Sequence, residues 1–201
     1  MMIAILDLGI GNLFSIKRSF ERIGREAKIC AGISELRRSD ALVLPGVGNF
    51  SWSLRKLESI RGAISELILD DHVPVLGICL GMQLLFSASE EGPGDGLNVL
   101  PGIVKRFPRN LRVPHMGWNN LIIVGWSPIM DGITERDYFY FAHSYYAAPE
   151  DERVVAAKTE YGITFPSIIS SGNVFGVQFH PEKSWKPGEQ IIRNFVKIIR
   201  R

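Results

Sequence analysis

Cys79 is the residue whose surroundings first point to chemistry. It lies in the stretch GICLG (77–81), after the apolar run 73–77 and before a segment with helical spacing. An apolar strand, a tight glycine turn and a helix form the elbow that holds a nucleophile clear of a sheet. The helix start favours a thiolate, and the N–H of Leu80 is placed to stabilise an oxyanion. The alternative is a small buried hydrophobe, and this pattern alone leaves both open.

A nucleophilic thiol needs a general base, and the base needs a group that fixes its tautomer. Among the four histidines, only His180 ends an apolar strand pattern, and Glu182 follows two positions later. Pro181 disfavours helix at His180, and alternate residues of an extended chain point the same way, so Glu182 is expected to reach the imidazole. A single loop histidine is usually structural, but together with Cys79 these residues favour a catalytic triad.

The glycine loop PGVG (45–48) follows another apolar strand pattern. Carboxyl ends of parallel strands share one edge of a sheet, so this loop is expected near Cys79. Its backbone N–H groups, that of Gly48 included, predict the second half of an oxyanion hole. The alternative is an ordinary glycine turn. No dinucleotide fingerprint, P-loop or zinc-ligand spacing is found, so neither a cofactor nor a metal is expected.

The segment PHMGWNN (114–120) combines Met116 and Trp118 with Pro, Gly and Asn. This composition predicts a turn rather than a strand with alternating sides. Methionine and tryptophan are favoured as anchors of protein interfaces, so a partner is one interpretation. The other is a loop whose tryptophan tucks back under the sheet.

The first half of the chain must position these residues by alternating strands and helices. The patterns predict strands at 2–8, 26–30, 41–45 and 73–78, and helices at 13–24, 52–60, 62–71 and 80–89. Asn12 is expected to cap the first helix, whose apolar stripe is Leu13, Ile16, Phe20 and Ile23. This order implies a mainly parallel sheet with helices on both faces.

The second half is strand-like and is expected to add antiparallel strands to the same sheet. A last helix over 187–201 carries a buried stripe and a basic end, and 91–98 is interpreted as a surface loop. The strand patterns are 102–107, 119–125, 138–148, 153–162, 167–170 and 174–179. With no linker or repeat, residues 1–201 are predicted to form a single mixed α/β domain.

Composition limits the partners of this chain. Its 201 residues carry a formal net charge of +2 and are 46% hydrophobic, with only short basic clusters. Nucleic acid and membrane surfaces are therefore not expected partners, whereas small molecules or another protein are. No signal peptide or spanning segment is recognised, so a cytoplasmic protein is expected, with Cys30 and Cys79 both kept as thiols.

Several of these motifs resemble one known family. PGVGNF (45–50), GICLGMQLLF (77–86) and FHPEKS (179–184), in this order, resemble the class I (triad) glutamine amidotransferases. Within that class, DLGIGN (7–12), PHMGWN (114–119) and FAHSYY (141–146) resemble the glutaminase subunits of imidazole glycerol phosphate synthases. The resemblance covers essentially the whole chain and implies a flavodoxin-like α/β fold.

The resemblance also implies roles for individual residues. Cys79 would be the nucleophile, His180 the acid and base, and Glu182 its orienter. Substrate glutamine would meet Gln83 and the backbone of Ser144 and Tyr145, and the oxyanion donors would be Gly48 and Leu80, the 45–48 loop reorienting first. The synthase interface and ammonia exit would involve His115, Met116, Trp118, Asn119, Tyr140 and Lys183.

The implied partner is a cyclase subunit, forming a heterodimer, because the amidotransferase pattern occupies the whole chain. Three alternatives stay open. The first is the glutaminase of another pathway, against which the motif PHMGWN argues. The second is a cysteine hydrolase that is active without a partner. The third is a binding module in which Cys79 is inert.

Overall fold

The structure is a computed structural model that describes residues 1–9 and 11–199. The turn at 9–12 and the basic end of the last helix therefore fall partly outside the described residues. The first half alternates strands and helices, as predicted. Its elements are β1 (Ile3–Leu6), α1 (Leu13–Arg22), β2 (Ala27–Cys30), α2 (Ile33–Leu36), β3 (Ala41–Leu44), α3 (Phe50–Leu57), α4 (Arg61–Leu69), β4 (Val75–Ile78) and α5 (Leu80–Leu84).

The second half is mainly strands and ends in one long helix. Its elements are β5 (Phe86–Ser89), β6 (Leu100–Arg106), β7 (His115–Asn120), β8 (Ile122–Ile123), β9 (Tyr138–His143), β10 (Tyr145–Pro149), β11 (Val155–Glu160), β12 (Thr164–Ser171), β13 (Val174–Val177) and α6 (Trp185–Ile199). Within the part of the chain that the structure describes, no helix is both long and apolar enough to cross a bilayer.

One eight-stranded sheet forms the centre of the fold, in the order β2-β1-β3-β4-β13-β12-β11-β8. The five strands from β2 to β13 pair in parallel, and the remaining three are antiparallel. The last strand of the chain therefore lies beside β4. This crossover places the segments after β4 and β13 next to each other at one edge of the sheet.

Helices and loops cover both faces of the sheet, and the central strands β1, β3, β4 and β13 are therefore buried on both sides. In β1, Ile3 and Ile5 belong to a core shared with α1 and α6, whereas Ala4 and Leu6 belong to a second core shared with helices α2 to α5. The predicted α1 begins as expected, since the Asn12 side chain accepts a hydrogen bond from the Ser15 N–H at 3.2 Å.

The helix predicted over 80–89 is wrong beyond its first turns. α5 ends at Leu84, and the chain continues as strand β5. The carbonyl oxygens of Leu84 and Leu85 accept bonds from Leu97, Val99 and Leu100. These carbonyl oxygens therefore bond to distant residues and not to the next turn of a helix. Phe86, in the strand that follows, is fully buried.

The prediction that the second half adds antiparallel strands to the same sheet is confirmed for β8, β11 and β12, but it is wrong for the strands that form two smaller sheets. β5, β6 and β10 form a separate three-stranded sheet, and β7 pairs only with β9 in a two-stranded sheet. The pattern over 138–148 is broken at Ser144, because β9 and β10 belong to different sheets. That break faces the candidate site.

The segment 114–120 is a strand rather than the predicted turn. β7 pairs with β9 in antiparallel register, with Trp118 opposite Tyr140. The Trp118 side chain is 45% exposed, so it does not tuck under the sheet. The last helix also differs from expectation, since α6 begins at Trp185, two residues before Pro187.

Candidate active site

The site lies where β4 and β13 end side by side. Cys79 directly follows β4, and its N–H donates to the carbonyl oxygen of Val177, the last residue of β13, at 2.8 Å. His180 follows β13 by three residues. The parallel pairing of the two strands therefore brings together residues that are about a hundred positions apart in the sequence.

Cys79 sits in a strained backbone conformation, with φ 54° and ψ −109°. Such a positive φ is uncommon for a non-glycine residue and typically marks a functional site. The flanking glycines permit the turn on steric grounds. A Cβ at Gly81 would lie 1.6 Å from the Leu44 oxygen, and one at Gly77 would lie 2.7 Å from the Met82 backbone. The predicted elbow is present, but α5 has only five residues, so its dipole is short.

His180 is held by hydrogen bonds from both its backbone and its ring. Its backbone N–H donates to the Tyr140 carbonyl oxygen at 2.8 Å, and its carbonyl oxygen accepts from the Ser184 hydroxyl at 2.6 Å. Ring atom Nδ1 lies 2.9 Å from Glu182 Oε1, and both side chains are 3% exposed. Since a carboxylate only accepts, Nδ1 carries a proton, and Nε2 is left for the thiol.

The charges around His180 favour its protonated form. Burial by itself lowers the pKa of the imidazole, but the Cys79 thiolate, by its charge and as a hydrogen-bond acceptor, outweighs it, and Glu182 adds to the effect. The pKa of His180 is thereby raised from 6.5 to about 10. Mutual stabilisation of a thiolate and an imidazolium is the means by which a neighbouring histidine activates a cysteine nucleophile.

A cavity of about 190 Å³ opens beside Cys79. It is small and half polar in its lining, as suits a small polar molecule. The lining residues are Val47, Gly48, Cys79, Leu80, Gln83, Glu91, Pro114, Ala142, His143, Ser144 and Tyr145. All five residues to which the family resemblance assigns substrate or oxyanion contacts are among them.

The amide of Gln83 has a defined orientation in this cavity. Its Nε2 donates to the Tyr145 carbonyl oxygen at 2.9 Å and to Gln178 Oε1 at 3.1 Å. Both amide hydrogens are thereby used. Oε1 of Gln83 is therefore the atom available to a ligand, and it can only accept a hydrogen bond.

Besides His143, which lines the cavity, Gln178 and Glu91 are polar residues at the site to which the sequence reasoning gave no role. Gln178 is fully buried, and its Nε2 lies 3.6 Å from Cys79 Sγ. Glu91 contributes a carboxylate to the cavity, and its Oε2 accepts from the Phe50 N–H at 2.7 Å. Burial raises the pKa of Glu91. Gln178 could have been noticed, because it is a polar residue within an apolar strand pattern. Glu91 lies in a segment that the sequence analysis interpreted as a surface loop.

Residues assigned to a partner interface form an exposed group beside the site. The Trp118 ring lies 5.9 Å from that of Tyr140 and 5.2 Å from that of Trp185. Nζ of Lys183 lies 5.3 Å from the Tyr140 ring centre. Trp185, which is 80% exposed, was not predicted. We call Met116, Trp118, Tyr140, Lys183 and Trp185 the aromatic cluster.

His115 does not belong to this exposed group. Its side chain is 4% exposed and stacks on Phe141 and Tyr161, with ring centres 4.9 and 4.2 Å apart. Alternation along β7 turns His115 inward while Met116 turns outward. The Asn119 side chain lies on the same side as His115. The expectation that the His115 side chain belongs to the interface is therefore wrong, because the strand turns this side chain inward.

The described residues hold no group of three or more His, Cys, Asp or Glu side chains arranged to bind a metal ion. The reactive groups that the site presents are the Cys79 thiol, the His180 imidazole and the polar cavity wall. Those groups suit acyl transfer from a small amide or ester.

Comparison with known families gives a match over nearly the whole chain. Residues 4–199 match the model of the family described as glutamine amidotransferase class-I. Solved structures share the fold. A putative GMP synthase component from Thermoplasma acidophilum has a TM-score of 0.78 at 24% identity, covering 100% of this chain and 94% of its own.

Curated relatives are more similar in sequence. The imidazole glycerol phosphate synthase subunit HisH of Methanothermobacter thermautotrophicus is 50% identical over 200 residues, covering 99% of this chain and 100% of its own. The proteins of the same name from Methanocaldococcus jannaschii and Archaeoglobus fulgidus are 47% and 46% identical. They cover 98% and 100% of this chain, and each is matched over 100% of its own length.

Proposed function

The chain belongs to the class-I glutamine amidotransferase family, and we propose on that premise that it is the glutaminase subunit of an imidazole glycerol phosphate synthase. It hydrolyses glutamine to glutamate and ammonia. The observation that carries this proposal is that Cys79, in its strained elbow beside a small polar cavity, and the buried pair His180–Glu182 meet where the paired strands β4 and β13 end.

The cavity wall supplies acceptors for the α-ammonium group of glutamine. Oε1 of Gln83 is available, and Glu91 adds a carboxylate whose charge complements an ammonium. Backbone groups of Ser144 and Tyr145, at the break between β9 and β10, line the same cavity and hold the amino and carboxylate ends. The carboxamide then extends toward Cys79.

The reaction is acyl transfer in two steps. The Cys79 thiolate attacks the carboxamide carbon, and the C–N bond breaks as the His180 imidazolium gives its proton to the leaving ammonia. Neutral His180 then takes a proton from water, which attacks the thioester and releases glutamate and the thiol. Glu182 keeps Nδ1 protonated throughout, so that Nε2 is the atom that exchanges protons.

The oxyanion formed in each step is stabilised by backbone N–H groups. Leu80 begins α5, where an N–H has no partner within the helix. Gly48 also lines the cavity, and its φ of 111° is a conformation that glycine adopts readily. When the 45–48 loop reorients, the N–H of Gly48 completes the oxyanion hole. Dependence on that reorientation would keep hydrolysis slow until ammonia has a use.

The acceptor of ammonia is on a second protein, a cyclase subunit. It binds the aromatic cluster, whose large exposed side chains are of the type found at interface anchors. Tyr140 contacts the catalytic His180 through its backbone and lies under Lys183, so ammonia leaves beside this pair. The heterodimer works in the cytoplasm, where the thiol stays reduced.

The proposal is tested by an ammonia-release assay with purified chain. The assay is run with and without the cyclase and its phosphorylated ribulosyl aminoimidazole carboxamide nucleotide. We expect slow glutamine hydrolysis by the chain alone and a marked rise in the complex. Full activity of the isolated chain would favour a partner-independent hydrolase instead. No hydrolysis in either state would contradict the glutaminase assignment.

A further inference from the structure

We propose that His143 is a positioning residue for the glutamine subsite, held in one tautomer by His115. The histidine pair joins β7 to the nucleophile through a continuous chain of hydrogen bonds. This inference rests on the proposed function, and it concerns two buried histidines that the hydrolytic mechanism does not use. His143 is 5% exposed and lines the cavity.

The direction of the hydrogen bonds is set at the outer end by Asn119. Its Oδ1 accepts from the Asn120 N–H at 2.9 Å, and its Nδ2 donates to the Glu160 carbonyl oxygen at 2.9 Å. These two bonds fix which end of the amide is the NH₂ group. Nδ2 also lies 3.4 Å from His115 Nε2, which must therefore be an acceptor.

The donor at Asn119 determines which ring nitrogen carries the proton in both histidines. Since His115 Nε2 accepts, a neutral His115 carries its proton on Nδ1, which lies 3.1 Å from His143 Nε2. His143 Nε2 then accepts, and its proton is on Nδ1. Burial supports neutral rings, because it lowers the pKa of His115 to about 4 and that of His143 to about 3.

The inner end of the chain requires the same assignment independently. His143 Nδ1 lies 2.8 Å from the Tyr145 carbonyl oxygen, which can only accept. Nδ1 must therefore be the protonated nitrogen. Because reasoning from Asn119 and reasoning from Tyr145 give one answer, each histidine has a single consistent tautomer in this arrangement.

The Tyr145 carbonyl oxygen connects the histidines to the nucleophile. It also accepts a hydrogen bond from the side-chain amide of Gln83. The second N–H of that amide donates to Gln178 Oε1. The amide N–H of Gln178 in turn points at Cys79 Sγ. His143 thus fixes the carbonyl on which the orientation of Gln83 depends. Loss of its Nδ1 donor would loosen the Ser144–Tyr145 backbone and the Gln83 amide, both of which contact glutamine.

The consequence is an effect on substrate binding rather than on chemistry. Contacts to the amino and carboxylate ends of glutamine are the same in the ground state and the transition state. Weakening them raises KM and leaves kcat nearly unchanged. A purely structural histidine would instead lower stability without this separation.

The tautomers are measured directly on the full chain labelled with ¹⁵N-histidine, by long-range ¹H–¹⁵N correlation at neutral pH. We expect His115 and His143 both to be neutral and protonated on Nδ1. That form is distinguished by its nitrogen shifts from the Nε2–H form. A neutral Nε2–H ring or a protonated ring at either position would overturn the proposed chain.

The kinetic test compares two substitutions in the complex with the cyclase. His143→Asn keeps an N–H near the position of Nδ1, whereas His143→Gln places its amide near the position of Nε2. We expect His143→Gln to raise KM for glutamine roughly tenfold, the loss of about one hydrogen bond, with kcat within about twofold. His143→Asn should recover most of that loss.

His72→Asn is the matched control, because His72 is an exposed histidine with φ 53° in a turn that asparagine tolerates. Unchanged KM in a folded His143→Gln, or equal KM in the two variants, would refute the positioning role. If His143→Gln does not fold, the tautomers of the unmodified chain decide. Absence of hydrolysis by the unmodified complex would instead refute the glutaminase function, whatever the tautomers are.

Discussion

His180 Nδ1 lies 2.9 Å from Glu182 Oε1, inside a site where both side chains are 3% exposed. The other carboxylate oxygen, Oε2, is buried without a hydrogen-bond partner among the described residues. A carboxylate that is only half satisfied is costly to bury unless a charge opposes it. The protonated His180 supplies that charge and so offsets part of the cost of burying Glu182.

Replacement of the nucleophile should abolish hydrolysis without loss of the fold. Cys79→Ala removes the attacking atom, and we expect ammonia release to fall by roughly a thousandfold or more. Gel filtration with the cyclase should still give the complex, since Cys79 is buried and is not one of the exposed residues of the aromatic cluster. Cys30→Ala is the control, because Cys30 is a buried thiol outside the cavity. Equal turnover in the Cys79 variant would refute the triad.

Replacement of the orienter should move the alkaline limb of the pH profile. The folded pKa of His180 is raised, so the imidazolium and its stabilising contribution are complete below pH 6.5 and are lost as pH rises through about 10. Glu182→Gln removes one charge that raises this pKa. We expect kcat to fall by roughly 10²- to 10⁴-fold, and the alkaline limb of kcat/KM to move to lower pH. An unmoved limb would contradict the assigned role.

The buried histidine pair should make the fold sensitive to acid. The pKa values of His115 and His143 are lowered to about 4 and about 3, so between these values and 6.5 the unfolded chain binds more protons. Stability is therefore complete above pH 6.5 and declines as pH falls toward 4. Urea unfolding across this range measures it. Free energies that stay constant from about pH 7 to about pH 4.5 would show that the rings are not buried in neutral form.

The aromatic cluster should contribute to partner affinity but not to folding. Trp118 is 45% exposed, and removal of an interface tryptophan commonly costs about 2 kcal/mol of binding, or roughly 30-fold in Kd. We expect this loss for Trp118→Ala in titration calorimetry with the cyclase. Trp126→Ala is the matched control, since Trp126 is 81% exposed but lies outside the cluster. Equal losses in the two variants would argue against this surface.

The elbow glycines should tolerate no side chain. A Cβ at Gly81 would lie 1.6 Å from the Leu44 oxygen, so Gly81→Ala must displace the backbone, and we expect a loss of about 3 kcal/mol or failure to fold. Gly62 is exposed in α4, and a methyl group added there would meet no atom within 4 Å. Gly62→Ala should raise the free energy of unfolding by about 0.5 kcal/mol. Thermal unfolding of both variants provides the comparison.

Local sequence patterns predicted the central strands and helices because each pattern was compatible with only one type of element. The strands β1, β3 and β4 are short apolar runs, and α1 has a clear stripe with Asn12 as its cap. His180 and Glu182 could be paired in advance because they lie two positions apart and Pro181 keeps His180 extended. The extended chain expected beyond His180 is wrong, since Pro181–Lys183 form a 3-10 helix, and the His180–Glu182 contact forms all the same. The elbow at Cys79 was recognisable for a similar reason, since only glycines fit its neighbours.

Patterns failed where long-range contacts outweighed local preference. The helix predicted beyond Leu84 was wrong because carbonyl oxygens at its end bond to residues 97–100. The segment 114–120 has the composition of a turn, yet it becomes β7 because β9 supplies its pairing partner. Neither partner can be identified from the local sequence, since strand pairing depends on elements many residues away.

The sequence by itself determined the chemical type of the site: a thiol in a glycine elbow, a histidine with its carboxylate, and a glycine loop. Tertiary structure alone decided which further groups join them. Glu91, Gln178 and His143 reach the site from segments that approach Cys79 only when the chain is folded. The physical reason is that hydrogen bonds act over about 3 Å, and only packing brings residues distant in the sequence to that separation.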